Sequence, residues 1–404
     1  MQKIADKQPI YIRGCGFNSA LGCSNDIIHQ RLRQGMSPDM QPVQGWLNDG
    51  SDTVIGKVSS PLPTIDDNVF PHQNTENNRL VLSALQQIEA DIHGAITQYG
   101  HDRIAVIVGT TTSGISDGEQ ALTSQKNTQN FPTDYHYHQQ EPSNTGQFIA
   151  DYYQLTGPCY TLSTACSSSG RVFLSAKRML KAGVVDAVIV GGADTLCRLT
   201  LNGFHGLDSL SSTLCNPFSD NRNGINIGEG AAFMLLARTP DERQPAPHIA
   251  LLGIGDSSDA HHISAPHPEG TGAEMAMRKA LKDAKLTPED IGYINAHGTA
   301  TPLNDAMEAK AIARVFGNQV PVSSTKPLTG HTLGAASAVE AAICWHLLRY
   351  DLPLPTQIND GAVADDLPIQ LAPVNTAFTK PVMLSNSFAF GGNNISLIIG
   401  RTDD

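Results

Sequence analysis

The sequence predicts an α/β fold in which mostly parallel sheets are covered by helices on both faces. Short apolar runs recur along the chain, and segments with helical periodicity separate them. Four of these runs are nearly continuous in apolar residues and do not alternate with polar ones, namely 104–110, 187–193, 249–255 and 291–298. Strands of this kind are buried on both faces, which is typical of helix-covered parallel sheets.

The composition favours the same class. Charged residues make up 16% of the 404-residue chain and hydrophobic residues 40%, which favours a compact enzyme core over a disordered chain. The net charge of −12, without a basic stripe, argues against nucleic acid as a partner. No apolar run suffices for a signal peptide or a bilayer span, and seven cysteines without C-x-x-C spacing indicate neither disulfides nor a zinc ribbon. We therefore expect a cytoplasmic protein without a metal or another cofactor.

Helices are predicted between the strands. Apolar residues recur with helical spacing over 78–92, 170–183, 273–285 and 333–350. The second segment ends at Gly183 and carries basic residues in its later turns. Both features are typical of a helix C-terminus, where the dipole is negative.

The order of motifs indicates an internal duplication. In the first half, a strand and a glycine-rich turn precede "STACSSSG", a helix and the strand "VIVGGAD". In the second half, a strand precedes "SSTKPLTGH", a helix of small residues and the strand "MLSNSFAFGG". Both halves thus place loops at equivalent strand ends.

Two polar stretches interrupt this pattern. The proline-rich stretch 239–248 is the natural joint, so we expect two halves, residues 1–245 and 246–404. Segment 125–145 is polar but contains several aromatic residues. We expect it to be an ordered insertion or lid rather than a linker.

The stretch "STACSSSG" places Cys166 among small hydroxyl residues, just before a predicted helix. A helix that begins near Ser167 aims unpaired N–H groups and the positive end of its dipole at the sulfur, and both lower the pKa of a thiol. A sharp turn also leaves the Cys166 N–H free to bind a carbonyl oxygen. A nucleophile is one interpretation, and a small buried core residue is the other.

Two histidines and a lysine stand in loops near predicted strand ends. His297, in "NAHGTATPLND", lies at the kind of strand end where α/β proteins place active sites. Lys326 and His331 share the next loop, and a buried lysine there needs a partner such as Glu340 on the following helix. Position alone leaves open whether these are loop histidines and a surface lysine.

The stretch "NSFAFGGNNIS" (386–396) sets two phenylalanines beside a glycine pair. A hairpin turn is the simpler interpretation. A gate is the other, because glycines let an aromatic side chain swing and bring backbone N–H groups close to a ligand. Elsewhere, His261, His262 and His267 lie close together, but no cysteine or carboxylate spacing supports a metal site.

Taken together, four stretches resemble the β-ketoacyl-[acyl-carrier-protein] synthases, the elongating type I/II branch of the thiolase-like superfamily. They are, in order, "STACSSSG", "NAHGTATPLND", "STKPLTGHTLGAASAVE" and "NSFAFGGNN". Stretches 215–232 and 257–266 also match, and the resemblance spans nearly the whole chain. It implies a thiolase-like five-layer αβαβα fold of two duplicated halves with mostly parallel mixed sheets. The implied reaction is decarboxylative condensation of an acyl group with malonyl-acyl-carrier-protein, without a cofactor.

The resemblance implies roles for five buried or loop residues. Cys166 is the nucleophile that accepts the acyl group as a thioester. His297 and His331 drive malonyl decarboxylation and stabilise the enolate, whose oxygen needs donors. Lys326, paired with Glu340, supports the site electrostatically.

Further positions follow from the same resemblance. The N–H groups of Cys166 and Phe390 form the oxyanion hole, and Phe390 also gates malonyl entry. Thr112 and Phe204 line the acyl pocket. The supporting positions are Thr299, Thr301, Asp305, Glu308 and Asp259.

The sequence departs from the family at the gate and at the carrier surface. The family's gate usually reads G-F-G-G-T-N, whereas residues 389–394 read A-F-G-G-N-N, in which Ala389 stiffens the hinge. The region before the helix at 78–92 lacks the basic residues that many relatives use for carrier docking. We expect Arg79, Lys126 and Arg222 to substitute for them. The small polar Thr112 predicts a pocket for longer or more polar chains.

The sequence bears on several alternatives to this function. A thiolase carries a second cysteine in the C-terminal glycine loop, and this chain has none after Cys344. Starter-unit synthases use a Cys-His-Asn set, whereas this chain has His331, and a hydrolase leaves the Lys326/His331 pair unexplained. The non-enzyme alternative is a chain-length-factor-like partner subunit, which usually lacks the cysteine. Because the four catalytic positions are intact, we predict a catalytic subunit of a homodimer or a ketosynthase heterodimer.

Overall fold

Fourteen strands occur in the computed structural model, which describes residues 9–243, 246–362, 364 and 367–402. In chain order they are β1 (Ile10–Ser19), β2 (Met40–Val43), β3 (Thr53–Gly56), β4 (Ile104–Gly109), β5 (Cys159–Leu162), β6 (Ala187–Asp194), β7 (Ile227–Gly228), β8 (Gly230–Ala237), β9 (His248–Ser258), β10 (Tyr293–Asn295), β11 (Pro321–Ser323), β12 (Gln370–Leu371), β13 (Val382–Phe388) and β14 (Asn393–Thr402).

The described residues also form eleven α-helices. They are α1 (Asn25–Gln34), α2 (Glu76–Leu85), α3 (Glu89–Tyr99), α4 (Ile115–Thr128), α5 (Pro142–Tyr152), α6 (Ser168–Ala182), α7 (Arg198–His205), α8 (Thr271–Ala284), α9 (Pro302–Phe316), α10 (Lys326–Thr329) and α11 (Ala336–Tyr350). Short 3₁₀ turns lie at Gln86–Ile88, His101–Arg103, Tyr137–Gln140, Pro288–Asp290 and Leu333–Ala335. None of these helices is long and apolar enough to cross a membrane.

The large sheet confirms the duplication. Its strand order is β12-β11-β10-β13-β14-β9-β1-β8-β6-β4-β5, and β2-β3-β7 form a separate small sheet. The first half contributes β5-β4-β6-β8-β1, and the second contributes β11-β10-β13-β14-β9 in the equivalent order. Equivalent neighbours also run in the same relative directions, parallel in the outer pairs and antiparallel in the inner ones. The halves join where β1 pairs antiparallel with β9 at Ile10 and Tyr11.

Three hydrophobic clusters define the predicted five layers. The central cluster packs α6 and α11 between the two halves of the sheet. A second cluster covers the outer face of the first half with α2, α3 and α5, and a third covers that of the second half with α8 and α9. Of the two central helices, α6 follows β5, and α11 follows β11 after the short helix α10. Because the two helices pack side by side, the loops before them meet in the protein interior.

The predicted elements agree with the structure, but the large sheet is mixed rather than mostly parallel, because β9, β1, β8 and β14 pair antiparallel with their neighbours. The single helix expected over 78–92 is divided into α2, a 3₁₀ turn and α3. Segment 125–145 is ordered as expected and spans the end of α4, a 3₁₀ turn and the start of α5. In the joint expected at 239–248, Gln244 and Pro245 lie outside the described residues.

Candidate active site

Three residues that the sequence singled out meet beyond the ends of β5, β10 and β11. The sulfur of Cys166 and one ring nitrogen each of His297 and His331 lie within 4.8 Å of one another. The His331 Nε2 atom is 3.0 Å from the Cys166 sulfur, and the two imidazole rings are 5.3 Å apart at 84°. All three side chains are buried. A nucleophile and two imidazoles therefore face one small space.

The serines around Cys166 build a tight turn at the start of α6. Ala165, just before the nucleophile, has a φ of +53°, in the left-handed region that non-glycine residues rarely occupy. Hydroxyl groups satisfy the turn's backbone: Ser167 Oγ donates to the Thr164 carbonyl at 2.8 Å, and Ser168 Oγ accepts from the Thr164 N–H at 2.8 Å. The turn therefore presents the Cys166 side chain at the helix N-terminus.

The expectation of a lowered thiol pKa is wrong in sign. Burial raises the pKa of Cys166 to about 11, although the Lys326 ammonium and the backbone N–H groups of Phe390 and Cys166 favour the thiolate. Desolvation of a charged sulfur outweighs these partners, because only 5% of Cys166 is exposed. The resting nucleophile is therefore a thiol beside a base rather than a free thiolate.

Alkylation of Cys166 by iodoacetamide is expected to rise roughly tenfold per pH unit between about pH 7 and 9, without a plateau. The reason is that the thiolate fraction keeps growing until the pH approaches the raised pKa of about 11. Peptide mass spectrometry measures the rate at this one cysteine, and Cys166→Ala identifies its signal. A plateau below about pH 8 is the result that contradicts this assignment.

Both histidines are neutral in this environment. Burial, followed by the neighbouring Lys326 ammonium, lowers the pKa of His297 and of His331 well below the usual value. The Lys326 Nζ atom lies 3.4 Å from Nδ1 of His297. An ammonium donates only, so Nδ1 is the acceptor and the proton of this imidazole lies on Nε2. The Nδ1 atom of His331 has no hydrogen-bond partner within the described structure, so neither tautomer of that ring is fixed.

The predicted Lys326–Glu340 pair is present. The Nζ atom lies 2.5 Å from Glu340 Oε1, and each side chain is only 2% exposed. Lys326 also donates to the His297 carbonyl, so the pair braces the loop that carries the histidine. Burial raises the pKa of Glu340, and the ammonium opposes that shift. The same buried ammonium disfavours a metal cation beside the two histidines.

Two predicted supporting carboxylates hold the His297 loop through its backbone. Glu308 accepts hydrogen bonds from the N–H groups of His297 and Gly298, each at 2.8 Å. Asp305 accepts from the Phe218 and Ala300 N–H groups at 2.8 and 3.1 Å. Burial raises the pKa of Asp305 to about 7. These residues position the histidine without touching the reacting atoms.

The two predicted threonines lie in the same loop but bind each other. The hydroxyl oxygens of Thr299 and Thr301 are 2.9 Å apart, and Asn304 donates to Thr301 at 2.7 Å. Both threonines are buried. Among the side-chain hydrogen bonds of the described residues, none joins either threonine to Cys166 or His331, so their observed contact is with the loop.

Phe390 lies in the turn between β13 and β14, which confirms the hairpin interpretation. Gly391 and Gly392 have φ values of +80° and +76°, a conformation that favours glycine. The Phe390 ring lies 5.8 Å from the ring of Phe204. Asp259 fixes the end of the turn, since its N–H donates to the Gly392 carbonyl at 2.9 Å.

Thr112 takes part in a buried hydrogen-bond cluster that the sequence did not reveal. Its N–H and hydroxyl both reach Asp194 Oδ1, at 2.7 and 2.8 Å. The same carboxylate accepts from Thr110, Thr111 and the N–H of Ala335, so it joins the first half to the loop after His331. Its only sequence signal was an acidic residue that ends an apolar strand.

The three basic residues suggested for carrier docking differ in exposure. Lys126 is exposed in the last turn of α4. Arg79 is half-buried in α2, with a buried Nε atom that has no described partner. Arg222 is half-buried and donates to the Ser219 carbonyl at 2.7 Å. Of these three residues, only Lys126 is therefore an exposed cation.

Comparison with known proteins places these features in a family. Models of the β-ketoacyl synthase N-terminal and C-terminal domains match residues 68–242 and 248–359. The chain is 30% identical to 3-oxoacyl-[acyl-carrier-protein] synthase 2 of Rhizobium meliloti, over 97% of this chain and 98% of that protein. It is 32% identical to nodulation protein E of the same organism, over 96% and 98%. A 38% match to the synthase 2 of Vibrio cholerae spans 61% of this chain and 63% of that protein.

Solved structures of similar proteins are ketosynthases as well. A ketosynthase (ApeO) from Xenorhabdus doucetiae, solved in complex with its chain length factor (ApeC), shares 49% identity with a TM-score of 0.91, over 98% of both chains. A β-ketoacyl synthase from Burkholderia phymatum shares 27% identity with a TM-score of 0.83, over 98% of this chain and all of that one.

Fold and site together define a thiolase-like acyltransferase with a cysteine and two histidines in its interior. The chain belongs to the β-ketoacyl synthase family. It is an acyltransferase that extends an acyl chain by Claisen condensation, as the resemblance of its motifs predicted.

Proposed function

We propose that Cys166 carries the growing acyl chain as a thioester while His297 and His331 activate malonyl-acyl-carrier-protein, so that the product is a 3-oxoacyl-acyl-carrier-protein. The observation that carries this proposal is the convergence of the sulfur and the two imidazoles within 4.8 Å. The Lys326–Glu340 pair and the two backbone N–H groups complete the set. A non-catalytic partner subunit is not retained, since each of these groups is present.

In the first half-reaction, the sulfur attacks the carrier-bound acyl thioester. His331 Nε2, 3.0 Å away, accepts the thiol proton during the attack, which removes the need for a free thiolate. The new S–C bond forms, the carrier's C–S bond breaks, and His331 passes the proton to the departing carrier thiolate, which leaves as a thiol. The Cys166 and Phe390 N–H groups stabilise the oxyanion of the tetrahedral intermediate.

In the second half-reaction, the bond between the malonyl α-carbon and its carboxylate breaks and CO₂ leaves. The electron pair of that bond forms an enolate. The Nε2–H group of neutral His297 donates to the enolate oxygen, and His331 donates as well, because its unpartnered Nδ1 permits the other tautomer. The carbanion attacks the acyl-Cys166 carbonyl, a C–C bond forms and the C–S bond breaks. The sulfur then recovers a proton from solvent.

We further propose that the chain works with a partner subunit in polyketide- or polyene-type elongation. The identity of 49% to a ketosynthase that binds a chain length factor, against 30% to a 3-oxoacyl-[acyl-carrier-protein] synthase 2 over a similar span, supports this proposal. Strand β5 supports it as well, because it lies at one end of the large sheet and pairs with β4 alone within the described structure. The exposed apolar side chains Leu122, Phe131 and Tyr137 lie on or beside α4 and the turn before α5.

The cellular compartment, the acyl carrier and the two halves of the chain complete the proposal. The seven cysteines are all free, which suits a reducing, cytoplasmic compartment. The acyl carrier is a separate protein, for which exposed Lys126 is a contact candidate and half-buried Arg79 and Arg222 are weaker ones. We keep 1–245 and 246–404 as the proposed halves.

Native mass spectrometry and product analysis test the partner proposal. The chain is mixed with its chain-length-factor-like subunit, an acyl carrier and malonyl carrier, and compared with the chain alone. A one-to-one heterodimer that elongates faster than the chain alone is expected. A homodimer that elongates at the full rate without the second subunit contradicts the heterodimer and leaves the chemistry standing.

Thr112→Ile is expected to shorten the products, because the larger side chain extends into the acyl pocket. The substitution also removes the hydroxyl that binds Asp194, so Thr112→Val is the matched control that loses the same hydrogen bond with almost no added volume. Product lengths measured by mass spectrometry should fall with isoleucine and stay unchanged with valine. Unchanged lengths with isoleucine exclude Thr112 from the pocket.

A further inference from the structure

The Phe390 turn is held on one side by Asn394. Its Nδ2 atom donates to Asp259 Oδ1 at 2.7 Å and to the Gly392 carbonyl at 3.3 Å. The Cβ position of Gly392 lies 2.7 Å from the Cβ of Asp259, so this end of the turn is tightly packed. By contrast, nothing lies within 4 Å of the Cβ position of Gly391.

A second contact joins β14, the strand that follows the turn, to α6, the helix that follows Cys166. Arg171, five residues after Cys166 in α6, donates through Nη2 to Asn393 Oδ1 at 3.3 Å. The same guanidinium binds Asp256 Oδ2 at 3.0 Å and the Ser257 carbonyl at 3.3 Å. One charged group therefore links α6 to both β9 and β14, at the point where the Phe390 turn ends.

Close packing around this contact fixes the distance between α6 and β14. The Cβ position of Gly170 lies 2.6 Å from Ile395 and 2.9 Å from Ser337 Oγ, so only a glycine lets α6 approach β14 this closely. Close packing sets the distance that the Arg171 side chain spans. Asn393 is also where the gate departs from the family's G-F-G-G-T-N, and threonine is one bond shorter than asparagine towards the guanidinium.

We infer that Arg171 and Asn393 form a latch that holds the Phe390 turn closed over Cys166, and that both act as positioning residues. This inference rests on the proposed function of the site. Between the latch and the Asp259–Asn394 contact, the turn keeps the Phe390 N–H directed at the sulfur. Releasing the latch lets Gly391 move, which uncovers the thiol and displaces an oxyanion donor.

The rate at which iodoacetamide alkylates Cys166 measures how often the turn opens, and it needs no carrier or malonyl substrate. Asn393→Leu removes the acceptor and keeps the branching of the side chain, and we expect the rate to rise roughly three- to tenfold, the range for one lost hydrogen bond. Asn393→Asp keeps an acceptor and is expected to match or fall below wild type. Buried Cys215 is the internal control, since general loosening of the fold accelerates both cysteines.

A double-mutant cycle with Arg171→Met separates the latch from other effects of either residue. If the latch exists, the double variant reacts no faster than Arg171→Met alone. Multiplicative rate increases, or an unchanged Cys166 rate in Asn393→Leu, overturn the inference. If Asn393→Leu does not fold, Asn393→Thr takes its place in the cycle, and the same two outcomes apply. Because alkylation is independent of condensation, failure of the latch leaves the proposed function untouched.

Discussion

Cys166→Ala is expected to lower the rate of chain elongation by at least about 10³-fold, while malonyl decarboxylation continues. Without the sulfur, the acyl group has no covalent attachment. The buried His297 and His331 that face the enolate are unchanged by the substitution. Mass spectrometry of 3-oxoacyl products and release of labelled CO₂ measure the two reactions separately.

Cys215→Ala is the matched control for this variant. Cys215 is also buried, and burial raises its pKa as well, but it stands in the loop before β7 rather than at the start of α6. The control should elongate at the wild-type rate. Elongation by Cys166→Ala above about one hundredth of the wild-type rate is incompatible with the acyl-thioester role.

His297→Ala is expected to impair malonyl decarboxylation and to leave acylation of Cys166 nearly unchanged, whereas Cys166→Ala has the reverse effect. Decarboxylation and condensation should fall about 10²- to 10³-fold, because removal of one donor aimed at a developing oxyanion costs roughly 2.7–4 kcal/mol. Transfer of the acyl group to Cys166 should stay within about threefold, since His331 Nε2 is the nitrogen 3.0 Å from the sulfur. Single-turnover acylation and steady-state CO₂ release distinguish the two steps.

His346→Ala controls for the loss of a buried imidazole. His346 is as buried as His297, and burial lowers its pKa to about 3, but it contacts His29 in α1 instead of the catalytic loops. This control should lose stability without the selective loss of decarboxylation. Equal losses of acylation and condensation in His297→Ala argue that the histidine only supports the fold of the site.

The sequence was informative wherever the signal was local. Apolar runs predicted β4, β6, β9 and β10 because strands buried on both faces need continuous apolar residues. The order of motifs predicted the duplication, and the resemblance of four motifs to the β-ketoacyl synthases predicted that Cys166, His297 and His331 share one site. The Lys326–Glu340 pair followed from the requirement that a buried ammonium have a partner.

What the sequence missed depends on contacts between distant segments. The pKa of Cys166 is raised because the folded halves exclude water from the sulfur, which no local pattern reports. Asp194 gathers donors from both halves, and Arg171 meets Asn393 across 222 positions of the chain. The break between α2 and α3 was also missed, since the apolar periodicity continues through it.

The intact mass of the protein, recorded with acyl carriers of several lengths and then with malonyl carrier, tests the central claim most directly. The wild type, with its partner subunit present, should gain one acyl group at Cys166. Addition of malonyl carrier should discharge that acyl group and give a 3-oxoacyl carrier longer by two carbons. A folded protein that takes up no acyl group from any carrier, or whose acyl group is released only as free acid, contradicts the claim.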